Sequence, residues 1–332
     1  MKFTEIDKNK FFLQIEKLKS VQAEFLEKYN VDDILSNSKI FEILIANELS
    51  HILIPGHSGS RDAKDNKDNV YEYKHFKETS SNHSWTFNDF SDTTIKKLID
   101  TKSIIFAHID DTLSISNKFI LDWYYEVSGK TMSIYLTEKV KNIKNTRKMI
   151  NVSPNQIEKS LNIFKTNLKN ENINGSYYKD LEKIYDIIKE LENISNVKNI
   201  LTSNKIWEVI TSVHLNHNVN SEQGGRKGSH DAYDKTGNQY EYKISKTKSW
   251  NFQDISENVL NKYQNIKYFI LAVKDPLNIS VKKIFLVNKG LIERIREKLN
   301  KKISKKGSLR RLQVSASFSD IKKFIVKEME IN

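Results

Sequence analysis

Two short stretches of the chain carry the same arrangement of two acids and a base. Residues 59–74 read Gly-Ser-Arg-Asp-Ala-Lys-Asp-Asn-Lys-Asp-Asn-Val-Tyr-Glu-Tyr-Lys, and residues 228–243 read Gly-Ser-His-Asp-Ala-Tyr-Asp-Lys-Thr-Gly-Asn-Gln-Tyr-Glu-Tyr-Lys. In each, an Asp (Asp62, Asp231) stands ten positions before a Glu (Glu72, Glu241), and a Lys (Lys74, Lys243) follows two positions later. Turn formers occupy 66–69 and 234–238, and strand formers follow from Val70 and Gln239, so each stretch predicts a β-hairpin. Positions 62 and 72 are symmetric about 67, and 231 and 241 about 236, which sets each acid pair face to face across its hairpin. Opposed side chains have Cβ atoms roughly 4.5–5.5 Å apart. Two carboxylates that close repel unless a cation or a proton lies between them. Glu72 and Lys74 share one face of the strand, while Tyr71 and Tyr73 point the other way, toward a core. Two acids and a lysine on one face describe a divalent-metal site with an ammonium beside it. A polar hairpin in a Lys- and Asn-rich chain would account for one such stretch; two with identical spacing and different intervening residues call for a shared chemistry.

The elements that must hold these residues are also present twice. Ile15-Glu16-Lys17-Leu18 matches Leu181-Glu182-Lys183-Ile184, and Lys39-Ile40-Phe41-Glu42 matches Lys205-Ile206-Trp207-Glu208, both at an offset of 166. The offset is 169 at the hairpins and 165 where Ser84-Trp85-Thr86-Phe87 meets Ser249-Trp250-Asn251-Phe252. Such drift is what loop insertions and deletions produce. The chain therefore reads as two homologous domains, 1–170 and 171–332. Each begins with a long amphipathic helix (about 7–29; 177–194) and a second helix (about 38–50; 204–215) that carries Glu42 or Glu208. A short extended piece and the hairpin follow, then a helix (about 89–100; 254–264), an apolar strand (103–109; 267–274), a further strand (117–127; 280–287) and a mixed basic segment. The expected fold is α/β in the mixed α+β sense, a central mixed β-sheet flanked by helices in each domain.

Lys and Arg outnumber Asp and Glu by 54 to 42, a net +12 that points to an anionic partner, nucleic acid before a membrane. With no cysteine, a disulfide framework, a zinc–thiolate site and a cysteine nucleophile are excluded. No apolar run approaches the ~18 residues of a spanning helix, and the N-terminal residues lack a signal-peptide apolar stretch, so the expected location is cytoplasmic. No Gly-Lys-Ser/Thr phosphate loop occurs, which argues against a nucleotide cofactor. Six of the ten glycines (Gly56, Gly59, Gly224, Gly225, Gly228, Gly237) flank or lie within the hairpins, where the backbone turns tightly.

Asp62…Glu72-Tyr73-Lys74 and Asp231…Glu241-Tyr242-Lys243 resemble the PD-(D/E)XK nuclease superfamily, and within it type II restriction endonucleases. The helical Glu42 and Glu208 and the order of elements strengthen the resemblance, which covers about 40–110 and 206–275. Neither Asp follows the Pro of the family pattern; Arg61 and His230 stand there instead. The resemblance implies that Asp62 and Glu72, and likewise Asp231 and Glu241, bind Mg²⁺ with help from the carbonyl of Tyr73 or Tyr242. It implies that Lys74 and Lys243 orient or deprotonate the attacking water and offset charge in the transition state. Glu42 and Glu208 would be further carboxylates of the two sites. Glu48 competes with Glu42, but the offset pairs it with His214 rather than with an acid. The implied activity is Mg²⁺-dependent, sequence-specific cleavage of DNA, each domain cutting one strand in a monomeric internal pseudo-dimer. Other nuclease roles (repair, modified-DNA-specific or RNA-cleaving) and a non-catalytic DNA-binding protein are the alternatives.

Basic residues near the hairpins are candidates for phosphate contact: Arg61 and Lys77 beside the first, Arg226, Lys227, Lys246 and Lys248 beside the second. Arg310 and Arg311 end the densest positive run, 301–311, which is either a solvated loop or a DNA-contacting arm. Trp85 and Trp250 read as core residues rather than stacking platforms. His75-x-Lys77 begins a phospholipase-D-like pattern, but Asn82 stands where an Asp is required and Ser245 replaces the His in the second copy. His214 and His217 read as structural residues three apart on a helix.

Overall fold

The computed structural model describes residues 5–36, 39–54, 61–80, 82–111, 120–141, 143, 148–168, 176–198, 200–201, 205–220, 230–306 and 312–331. Gly56, Gly59, Gly224, Gly225 and Gly228 lie outside the described residues. The first part of the chain forms α1 (Glu5–Tyr29), α2 (Lys39–Glu48), β1 (Ile52–Leu53), β2 (Ala63–Lys64), β3 (Val70–Lys77) and β4 (Trp85–Phe90). It continues with α3 (Asp92–Lys97), β5 (Ser103–Asp110), β6 (Ile120–Ser128), α4 (Gly129–Val140), β7 (Lys148–Val152), α5 (Pro154–Leu161) and β8 (Thr166–Asn167). Next come α6 (Ser176–Ser195), α7 (Lys205–Leu215), β9 (Asn218–Val219), β10 (Ala232–Tyr233), β11 (Gln239–Ser245) and β12 (Ser249–Phe252). The rest is α8 (Glu257–Lys262), β13 (Tyr268–Asp275), β14 (Ser280–Val287), α9 (Gly290–Lys306), β15 (Val314–Ser317), α10 (Phe318–Ile321) and β16 (Ile325–Glu330).

The fold is mixed α/β with two six-stranded mixed sheets, ordered β1-β2-β3-β5-β6-β8 and β16-β14-β13-β11-β10-β9. In each, the hairpin's second strand pairs in parallel with the apolar strand that follows the helix (β3 with β5, β11 with β13), and every other pairing is antiparallel. Chain contacts divide the molecule into two compact units. One comprises Glu24–Ile34 with Ser38–Tyr185 and is called here the Asp62 unit. The other comprises Met1–Ala23, Leu35–Asn37 and Asp186–Asn332 and is called the Asp231 unit. α1 and α6 are thus each shared between units, and the first 23 residues group with the later part of the chain rather than with 24–170.

In the Asp62 unit the core lies on the face of the sheet formed by Ile104, Phe106, Tyr125 and Val127, covered by Trp85, Phe87, Met132 and Leu136. The Asp231 unit repeats it with Phe269, Leu271, Phe285 and Val287 under Trp250, Phe252, Leu291 and Ile295. The two tryptophans are fully buried, and each finds the partner its indole N–H requires: Trp85 Nε1 donates to Ala107 O at 2.8 Å and Trp250 Nε1 to Ala272 O at 2.9 Å.

The helices expected from about 89 and 254 begin later, at Asp92 and Glu257, where Ser91 and Ser256 accept from Thr94 N and Val259 N. The residues before them are strands because Trp85 and Phe87, and Trp250 and Phe252, alternate inward. These strands pair not with the main sheets but with β7 and β15, forming two small sheets that lid the cores. The expected mixed basic segments hold ordered elements: α4, β7, α5 and β8 in one unit, α9, β15, α10 and β16 in the other. Among the described residues no helix is long and apolar enough to cross a membrane.

Removing the Trp250 side chain empties a fully buried site and strips Ala272 O of its donor. Trp250→Ala should cost ~3–5 kcal/mol of stability in a urea melt; a loss below about 1 kcal/mol would contradict its place in the core.

Candidate active site

Ala63 pairs with Tyr71 and Ala232 with Tyr240, as the symmetry of each hairpin requires, but the facing of the acids is not carried one residue further: Asp62 N and Asp231 N return to Tyr71 O and Tyr240 O at 2.8 and 2.9 Å, which shifts the register at each aspartate. The turns are built by Asp65 and Asp234, whose carboxylates accept from Lys67 N and Asn69 N, and from Thr236 N and Asn238 N. The left-handed turn positions fall to Asp68 (φ 59°) and Gly237 (φ 82°). Asp62 is tied down by the strand it faces, its carboxylate accepting from Tyr73 N at 2.7 Å. Asp231 accepts from Tyr242 N at 2.8 Å in the same way.

Glu72 and Glu241 are buried, 4% and 7% exposed. Parallel pairing of Glu72 with Ile104 and of Lys74 with Phe106 puts acid and lysine on the aromatic-core face of the sheet. Lys74 Nζ lies 5.4 Å from the centre of the Phe87 ring and Lys243 Nζ 5.8 Å from that of Phe252, so apolar walls limit the water available to either ammonium. Each ammonium turns to its own strand. Lys74 donates to Glu72 Oε1 and, at 3.2 Å, to Tyr73 O; Lys243 donates to Glu241 Oε1 and, at 3.1 Å, to Tyr242 O.

The helical acids join these clusters. Glu42 on α2 and Glu208 on α7 are the acids whose ionisation is opposed, after burial, chiefly by Asp62 and Asp231. Burial and then Asp231 push Glu208 up to about 7. Burial, offset in part by the neighbouring lysine, pushes Glu72 and Glu241 up to about 7, and Asp62 or Asp231 adds to the effect. Burial alone would lower Lys74 and Lys243, but the surrounding carboxylates, Glu72 and Glu241 foremost, outweigh it and hold both above the usual lysine range. Glu42, Asp62, Glu72 and Lys74 therefore form one electrostatic group, and Glu208, Asp231, Glu241 and Lys243 its counterpart. Glu48 lies elsewhere, accepting from Tyr178 Oη at 3.3 Å.

Two pairs of partners escaped the sequence reading. Lys39, 3% exposed, donates to Glu42 Oε2 at 2.5 Å, and Lys205 donates to Glu208 Oε2 at 2.9 Å. Both stand three residues before their glutamate on a helix, inside the repeated Lys-Ile-aromatic-Glu, which was signal enough to find them. His51 and His217 each meet the hydroxyl of the motif tyrosine, Tyr73 or Tyr242, at 2.8 Å and stack on Tyr71 or Tyr240 at 4.0 and 4.1 Å. His217 stands beyond α7 rather than on it, because Asn216 adopts φ 56° and ends the helix. Their equivalence is visible at the offset of 166.

The phosphate-contact candidates are dispersed. Arg61 is exposed next to Asp62, Lys77 pairs with Asp111 at 3.3 Å at the end of β3, and Lys246 and Lys248 are exposed just after β11, Lys248 over the Phe318 ring. Arg226, Lys227, Arg310 and Arg311 lie outside the described residues.

Among the described residues no three His, Cys, Asp or Glu side chains are drawn together so as to hold a metal ion. The donors present fit a cation in another way. Glu72 Oε2 is buried without a hydrogen-bond partner, and the carboxylate and carbonyl oxygens that would accept a hard ion are bridged by the Lys74 ammonium. Asp62, Glu72 and Tyr73 O would hold Mg²⁺ in one unit, and Asp231, Glu241 and Tyr242 O in the other.

Neither the models of protein families nor the curated proteins compared with this chain match it.

Because the folded carboxyl of Glu241 is raised from 4.5 to about 7, the folded state binds a proton there that the unfolded state has lost, and stability falls as pH rises through that window. Burial lowers His51 and His217, which act in the opposite sense, so the effect must be read by difference. In EDTA, Glu241→Gln should gain on the wild type by on the order of 2 kcal/mol between pH 4.5 and 7.5, at ~1.4 kcal/mol per pKa unit. Urea melts at the two pH values check it; a pH-independent difference would mean that Glu241 is not a strained carboxylate. Added Mg²⁺ should raise the melting temperature more at pH 8 than at pH 5, since ligands bind ionised.

Proposed function

We propose that the chain is a Mg²⁺-dependent, sequence-specific DNA endonuclease of the PD-(D/E)XK superfamily, resembling type II restriction enzymes, with one site in each unit and each site cutting one strand. One observation carries the reading. In both units a hairpin aspartate bonds to the amide between a strand glutamate and a lysine that bond to each other, and a helical glutamate lies close enough for its charge to act on the aspartate, from segments whose intervening residues differ. The net charge of +12 suits a polyanionic substrate.

When bound, the metal would polarise the scissile phosphate and lower the pKa of a water molecule. The protein's own groups divide the remaining work. Asp62 and Asp231, each locked by a backbone amide, and the buried Glu72 and Glu241 set the position of the reacting centre. Lys74 and Lys243, held protonated by the acids around them, are suited to offset negative charge that develops on the phosphate and to orient the nucleophilic water by donation. They are poor bases in that state. Glu42 and Glu208 lie close enough to feel Asp62 and Asp231 and are both raised by burial, and Glu208, at about 7, can accept a proton near neutral pH. Lys39 and Lys205 fix their orientation.

Supercoiled plasmid tests the reading. With Mg²⁺ the wild type should give discrete linear fragments, and EDTA should stop it. Lys74→Ala and Lys243→Ala should each convert the plasmid to nicked circles, linearising it roughly 100-fold more slowly or worse. DNA binding with no cutting in Mg²⁺ would sink the enzyme reading, and a smear of products would sink the sequence-specific one.

A further inference from the structure

The two sites differ at a buried contact to the strand glutamate. After α8 the chain makes a 3-10 turn, Tyr263–Asn265, and the Tyr263 hydroxyl donates to Glu241 Oε1 at 3.1 Å. The matching turn after α3 is Leu98–Asp100, and Leu98 stands where the offset of 165 places Tyr263. Both side chains are buried. A leucine has no proton to donate, and among the described residues Glu72 receives a hydrogen bond from Lys74 alone while its Oε2 is buried with no partner. Glu241 is thus held by two donors, Lys243 and Tyr263, where Glu72 is held by one.

A carboxylate that ligates an ion binds it better when a neighbouring group fixes its orientation, and losing such a partner typically costs 10–100-fold in metal affinity.

We propose that Tyr263 is a positioning residue that makes the two sites unequal, the Asp231 unit taking up a divalent cation at lower concentration than the Asp62 unit. The inference rests on the nuclease reading insofar as it treats both acid pairs as cation sites. Its consequence is an ordered cut. When the ion is scarce, only the site held by Tyr263 is loaded, and duplex DNA is nicked in one strand before the other.

Calorimetric titration of the full chain with Mn²⁺ alone, without DNA, tests it. The wild type should show two steps whose affinities differ by roughly 10–100-fold. Asp231→Asn should remove the tighter step and Asp62→Asn the weaker. Tyr263→Phe keeps the ring and deletes only the hydroxyl; it should shift the tighter step to the affinity of the weaker one and leave the weaker one in place. A general folding defect would disturb both steps, so the untouched step separates positioning from mere structure. Two equal steps in the wild type, or a tighter step that survives Tyr263→Phe, would overturn the proposal while the nuclease reading stands. No uptake of Mn²⁺ at either site would overturn both.

Discussion

A carboxylate taken out of water must find a cation or give up its charge. Glu72 and Glu241 meet that condition on strands that face an aromatic core, and much of the surrounding structure follows from it. The lysine two residues on is the cation at hand, and it is confined there by Phe87 or Phe252. The arrangement is a compromise. Each ammonium neutralises one buried glutamate and Lys39 or Lys205 answers the acid on the helix, while among the described residues the aspartate of the hairpin has only a backbone amide as partner, so three acids face two ammoniums. A site left short of positive charge, with only oxygen donors, is suited to a hard divalent ion and to the anionic phosphate such an ion carries with it.

The sheets hold these groups by simple means. A hairpin holds its aspartate against the strand that carries its glutamate because the turn is set by the Asx turns of Asp65 and Asp234 and the aspartate accepts from Tyr73 N or Tyr242 N. Parallel pairing with β5 or β13 then buries the acid-bearing strand in the middle of a sheet, where slippage would turn Tyr71, Tyr73 and their partners into the wrong layer. The helix that supplies the third acid is anchored to the same strand, and the histidine that follows it bonds to the motif tyrosine from the far face. Site and scaffold share residues in strict alternation.

The hairpins, their register and the helical glutamates were legible in the sequence because each depends on local spacing: a turn centre, a two-residue strand period, an offset between copies. The strands at Trp85 and Trp250 were not read because their inward alternation spans only a few residues and the residues these tryptophans pair with, in β7 and β15, lie more than 60 positions along the chain. Lys39 and Lys205 were passed over because a lysine on a helix is ordinarily solvated, and only tertiary packing buries Lys39 and half-buries Lys205 beside their glutamates. The difference between Leu98 and Tyr263 could be read off the alignment of the copies, but its meaning needed the distance to Glu241.

The division of α1 between the two units has a consequence for how the chain is made. Residues up to Ala23 belong with Asp186–Asn332, so they leave the ribosome long before the segments they pack against exist. Phe11 and Ile15, fully or almost fully buried in the finished fold, must wait in an unfinished one. The Asp231 unit therefore closes last and through contacts distant in sequence, which slows folding and prolongs exposure of apolar side chains.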